Sequence, residues 1–173
     1  MQVCHGNVFF LPTQAVCLPI HAAVRQHRLP MLGGVLLEAQ TYWPNIDQVI
    51  GNRLNAGGLR VYLLSQYNTG VPAIRLPNVN RTKWRTIPLP YHLVTFPTRR
   101  GGRGAYLNLS LIKESCKQLT VGINKMHWNA VAIPAFPVEA QELHLWEQAQ
   151  KILANSLDDR VTLVLPEMKD GTQ

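Results

Sequence analysis

The chain has 173 residues, 46% of them apolar, and a formal net charge of +7. That length suits one domain able to bury roughly 70% of its unfolded surface, and the apolar share excludes global disorder. No apolar run approaches the ~20 residues that a bilayer-spanning helix needs, and no basic segment leads into an apolar one at the N-terminus, so a cytoplasmic protein without membrane contact or signal peptide is expected.

Short strands are predicted at residues 1–4 and 8–11, around Gly6-Asn7. "AVCLPI" at 15–20 is an apolar run of strand length, with Pro19 expected at its end because proline removes a ladder donor. Gly33-Gly34 precedes a helix beginning "VLLEAQ". Residues 44–54 carry apolar side chains at 46, 49, 50 and 54, a helical period that Gly57-Gly58 should stop. "LRVYLL" at 59–64 reads as a strand, 67–90 as a long loop or irregular hairpin, and 92–96 as a strand.

The second half is plainer. Leu109, Ile112, Cys116 and Leu119 share one helix face that Gly122 is expected to end, and "AVAIP" at 130–134 is a buried strand. Leu143, Trp146, Ala149, Leu153 and Leu157 mark another helix, and "VTLVL" at 161–165 a last strand. Alternating strands and helices predict an α/β fold of three layers, a mixed, mainly parallel sheet with helices on both faces. One domain over 1–166 and a flexible tail over 167–173 follow. Cys4, Cys17 and Cys116 are odd in number, far apart and set among apolar residues, as reduced core thiols are.

Charge is unevenly laid out. Between Gln48 and Lys113 there is no Asp or Glu, yet this stretch holds 10 of the 17 Lys and Arg residues. Such a layout points to an anionic partner, phosphate, nucleotide or nucleic acid, or to a solvated basic face without a ligand. In an α/β sheet the ligand site lies beyond the carboxyl ends of the strands. That rule gathers His21, Gly33-Gly34, the 98–104 segment and the residues after Pro134. "HLVTFPTRRGGRG" at 92–104 ends a core strand in three arginines and three glycines. Glycines let backbone N–H groups approach an anion, and arginines offer forked donors; a mobile basic loop is the alternative. His21 suits a ligand partner or a hydrogen-bonded buried histidine. Trp84 between Lys83 and Arg85, with Arg81 nearby, suits base stacking and phosphate contact or a pinned loop. The histidines show no metal-ligand spacing, and no cofactor is expected.

"HLVTFPTRRGGRG", the helix "LNLSLIKESCKQL", the strand "NAVAIPAF" and the following acidic helix with Trp146 resemble the macrodomain fold. The pattern is similar to the DarG-type branch, whose members remove ADP-ribose from nucleic acid. "GNVFFLPTQAVCLPIHA" and "MLGGVLLEAQTYWP" resemble the family's first strands, first glycine-rich loop and helix, so the likeness spans about residues 5–165. The resemblance implies an ADP-ribose or nucleotide ligand held by His21, Gly33, Gly34, Thr98, Arg99, Arg100 and Phe136. Departures are equally specific. The family's ribose-holding Asn residues fall near Leu18 and His21, its adenine-contacting Asp near Asn7, and its catalytic Lys at Arg99. Its second glycine-rich phosphate loop falls on "AFPVEAQELHLW", which has no glycine and two glutamates. Glutamates repel phosphate, and an arginine stays protonated where a lysine can exchange its proton.

Three readings follow. The first is a diverged macrodomain that binds an ADP-ribose-like or other nucleotide ligand with little or no catalysis. The second is an ADP-ribosyl hydrolase acting on nucleic acid or protein. The third is a basic nucleic-acid-binding or protein-binding module, using Arg81, Lys83, Trp84, Arg85 and Arg103, of the kind a virus deploys against nucleotide-based defence.

Overall fold

The computed structural model describes residues 1–31, 33–64, 92–101 and 104–167. Five strands form one sheet: β1 Gln2–His5, β2 Ala15–His21, β3 His92–Arg99, β4 Val131–Pro134 and β5 Val161–Leu165. Their order is β1-β5-β4-β2-β3, and every neighbouring pair is parallel. Four α-helices accompany the sheet among the described residues: α1 Gly34–Tyr42, α2 Ile46–Gly57, α3 Leu109–Met126 and α4 Leu143–Ser156.

The three layers arise from strand alternation, which sends successive side chains to opposite faces. Ala15, Cys17, Val94, Phe96, Val131, Ile133, Val161 and Leu163 pack with α3 and α4. Val16, Leu18, Ile20, Leu93, Ala132 and Val164 pack with α1 and α2 on the other face. Cys17 and Cys116 are buried free thiols within the first of these cores, and burial pushes the Cys116 thiol up to about 12.

Several expectations are corrected. Residues 8–10 form a 3-10 turn instead of a strand, because the Asn7 side chain accepts the Phe9 N–H at 2.9 Å and caps the turn. Pro19 sits inside β2, not at its end. Beyond Val16 that strand no longer pairs with β4, so no ladder partner waits for the missing N–H on that side. In the 59–64 segment the only bridge among the described residues is Leu63 with Val94, antiparallel. β3 runs three residues past Phe96, to Arg99. Gly122 does not end α3; burial of Ile123 extends the apolar stripe, and the helix stops at His127 in the left-handed region, φ 53°. A glycine inside a helix costs only about 0.5–1 kcal/mol, less than a buried isoleucine returns. Leu143, placed on the apolar face, is exposed.

Residues 65–91 lie outside the described residues, and with them the 67–90 loop and Arg81, Lys83, Trp84 and Arg85; Arg103 does too. No helix among the described residues is long and apolar enough to cross a membrane.

Candidate functional site

β2 and β3 end side by side. Ile20 pairs with Pro97 and His21 with Arg99, so Thr98 is an extra residue on β3. A bulge of this kind re-aims the side chains that follow it. The Thr98 hydroxyl donates to the Ile20 carbonyl at 3.2 Å, and its carbonyl accepts the Asn108 N–H at 2.9 Å. Asn108 in turn caps α3 by accepting the Leu111 N–H at 2.9 Å. The strand end is thereby tied to the helix that supports it.

His21 is buried. Its Nε2 lies 3.2 Å from the Pro30 carbonyl, and its Nδ1 accepts the Ala23 N–H across 3.3 Å. Both contacts are satisfied by the neutral ring carrying its proton on Nε2. Burial lowers the His21 pKa, the Pro30 carbonyl opposes this, and positive Arg99 lowers it further.

Arg99 does not point into solvent. Nη1 donates to Glu142 Oε1 at 2.6 Å and to the Ala105 carbonyl. Nη2 donates to Glu142 Oε2 at 3.1 Å and to the Pro137 carbonyl at 2.5 Å. All four terminal N–H groups of the guanidinium are therefore engaged. Glu142 is equally occupied: Oε1 also accepts the Leu107 N–H at 2.9 Å, and Oε2 the Glu139 N–H at 3.2 Å. Burial by itself would raise the Glu142 pKa, but the Arg99 hydrogen bonds and the two backbone N–H groups outweigh it and hold the carboxyl below its usual range. Glu139 and Glu142 also cap a 3-10 turn, Ala140–Glu142, that leads into α4. The departures at Arg99 and in "AFPVEAQELHLW" thus compensate each other: a glutamate stands where an anion would meet the cation.

Two adjoining cavities open at the carboxyl ends of the strands, sharing Val35 and Pro137. The smaller, about 210 Å³, is lined by His21, Gly33, Thr98, Arg99, Tyr106 and Glu142 among others. The larger, about 610 Å³, is lined by Asn7, Gly34, Glu38, Phe136 and Val164 among others. Its volume is that of a small-molecule site. Gly33 (φ 112°) caps α1 and Gly34 (φ 56°) opens it, both with backbone that other residues rarely adopt, and a Cβ at either would meet nothing within 4 Å. These glycines serve the turn, not a close contact.

Of the residues chosen from sequence, His21, Gly33, Thr98 and Arg99 line the smaller cavity, and Gly34 and Phe136 the larger. Phe136 is mostly core, packed against Phe96 and Trp146 with ring centroids 5.8 and 5.3 Å apart. Arg100 is exposed and lines neither cavity. Glu142, Glu38 and Tyr106 were not singled out. For Glu142 a signal existed: an arginine at the lysine position and a glutamate in the glycine loop are complementary changes.

No family model matches the chain, and no curated protein matches it in sequence. Solved structures do match in fold. The macrodomain of Thermus aquaticus DarG aligns with a TM-score of 0.68 at 16% identity, over 96% of this chain and 97% of that one. The macrodomain of Mycobacterium tuberculosis DarG aligns with a TM-score of 0.68 at 17% identity, over 96% and 97%. Thermosipho africanus DarTG in complex with ADP-ribose aligns with a TM-score of 0.69 at 12% identity, over 99% of this chain and 42% of that one. The chain has the macrodomain fold, expected from the sequence, and DarG macrodomains are among the structures it resembles.

Proposed function

We propose that this chain binds an ADP-ribose-like nucleotide in the cleft at the carboxyl ends of β2, β3 and β4, with little or no catalysis. The observation that carries this reading is the pair of adjoining cavities at those strand ends, on a fold that one structural neighbour shows in complex with ADP-ribose. His21, Gly33, Gly34, Thr98, Arg99 and Phe136 form the walls, with Arg100 exposed beside them. Weak catalysis follows from saturation. A proton-transfer group needs a free site in hydrogen-bond reach of the substrate, whereas both His21 ring nitrogens, the Arg99 terminal N–H groups and both Glu142 oxygens are engaged within the protein. That argument weighs against the hydrolase reading.

Calorimetry with ADP-ribose, NAD, a cyclic nucleotide and an oligonucleotide tests the proposal. Wild type is expected to bind ADP-ribose, Gly33→Val to abolish that binding by straining the β2–α1 turn, and joint replacement of Arg81, Lys83 and Arg85 by alanine to leave it intact. Oligonucleotide binding that weakens steeply with salt and disappears in the triple variant, with no affinity for any free nucleotide, overturns the proposal in favour of an electrostatic nucleic-acid surface.

A further inference from the structure

Among the described residues, Arg99 is the one Lys or Arg that lines either cavity. Four carboxylates line them, Glu139 and Glu142 the smaller, Glu38 and Glu167 the larger. Glu38 is held by the Asn7 amide at 2.5 Å and the Tyr42 hydroxyl at 3.1 Å, and Glu139 accepts the Gln141 amide at 2.5 Å. Anions therefore set the field at the strand ends, and the cation that could offset it is already paired. An arginine fork fits a phosphate or a carboxylate, two N–H groups to two oxygens. Glu142 fills that fork from within the protein, at 2.6 and 3.1 Å.

A ligand phosphate can take the fork only by displacing Glu142. Displacement strands the Leu107 and Glu139 N–H groups, which the same carboxylate accepts at 2.9 and 3.2 Å. It also brings a second negative charge beside a mostly buried carboxylate. Ile20, Val35, Leu36, Pro137 and Val138 share the wall of the smaller cavity and favour uncharged surface. We propose that Glu142 is a specificity-determining residue of the cleft: it holds on Arg99 the place a phosphate would take, so the smaller cavity admits an uncharged group and phosphate adds nothing to affinity. The inference rests on the nucleotide-binding reading and deepens it. The ligand is recognised by its nucleoside part, and any phosphate it carries stays toward solvent.

The sharpest variant is Glu142→Gln, which keeps a carbonyl for the Leu107 N–H and removes the charge. The experiment is calorimetry of adenosine, ADP and ADP-ribose, for wild type, Glu142→Gln and Arg99→Lys, with thermal melts as a check of folding. Adenosine and ADP differ only in the diphosphate, so their ratio reads what phosphate contributes. Wild type is expected to bind ADP no more tightly than adenosine. Glu142→Gln frees the fork and should strengthen ADP and ADP-ribose by about tenfold or more, the worth of a charge-assisted hydrogen bond, with adenosine unchanged. Arg99→Lys should leave the ratio of ADP to adenosine as it is in wild type, because the fork it loses served Glu142 and not the ligand. If Glu142→Gln does not fold, Arg99→Lys decides: an unchanged ratio supports the inference, and a tenfold fall in ADP affinity alone overturns it. Wild type that prefers ADP to adenosine by tenfold, or a folded Glu142→Gln that gains nothing for ADP, overturns this inference and leaves the nucleotide reading standing. Binding of none of the three to wild type overturns both.

Discussion

Among the described residues, two arginine–carboxylate pairs anchor helix starts, one from a loop and one from the end of a strand, on opposite faces of the sheet. Arg28 reaches Asp47, in the first turn of α2, through one contact of 3.0 Å, and the Arg28 side chain is 55% exposed. Arg99 and Glu142 meet two-pronged, with side chains only 15% and 4% exposed. The chemistry is the same, but the surroundings differ. Water can solvate Arg28 if its partner leaves, whereas Arg99 has given up its water and depends on Glu142 and two carbonyls. Burial of the cation, more than the existence of the pair, decides what each is worth.

Removal of one partner should expose that difference most clearly. Glu142→Ala leaves a mostly buried guanidinium without its anion and the Leu107 and Glu139 N–H groups without acceptors. A loss of about 3–5 kcal/mol is expected in chemical denaturation, with loosening of the 137–142 segment visible by hydrogen exchange. Arg99→Lys keeps the charge but not the fork, and should cost about 1–3 kcal/mol in the same measurement. Asp47→Ala, the matching deletion on the other face, should change stability by about 1 kcal/mol or less, because the exposed Arg28 is screened by solvent. An Asp47→Ala loss as large as that of Glu142→Ala would break the comparison.

Acid titration sharpens it further. The folded Glu142 pKa is lowered, so its contribution is fully present above the ordinary value of 4.5 and is lost as pH falls through the folded value. Glu142→Gln should flatten that part of the stability profile relative to wild type. His21 contributes at higher pH. Its folded pKa is lowered from 6.5, so the unfolded chain takes up a proton first and stability declines gently as pH falls below 6.5. His92, lowered by burial, acts in the same direction, so His21→Asn should reduce this decline without removing it.

The site was partly legible before any coordinates. His21 and Arg99 were placed at strand ends by the apolar runs that precede them, and they are register partners in the sheet. Gly33 was marked by its position ahead of a helix. Arg99 as a free anion receptor was a different matter. Its carboxylate partner lies 43 residues away in sequence, and only the packing of α4 against α3 and the sheet brings that residue back to the end of β3. Glu38 gave no local sign, since a glutamate on an amphipathic helix is ordinarily a solvated surface residue.

By itself the sequence determined the alternation of strands and helices, the apolar faces of α3 and α4, and the macrodomain-like order of motifs. Each of these is written in spacings of two to four residues, the periods at which side chains share a face. Tertiary structure decided the rest. Pro19 is tolerated inside β2 because β4 turns away after two pairs, and α3 passes Gly122 because Ile123 has a core to enter. Arg99 is neutralised because a distant turn supplies its anion, and Glu38 faces a cavity because Asn7 and Tyr42 hold it there. Local period records which side chains leave water; which of them meet depends on where the chain returns, and that is a property of the whole fold.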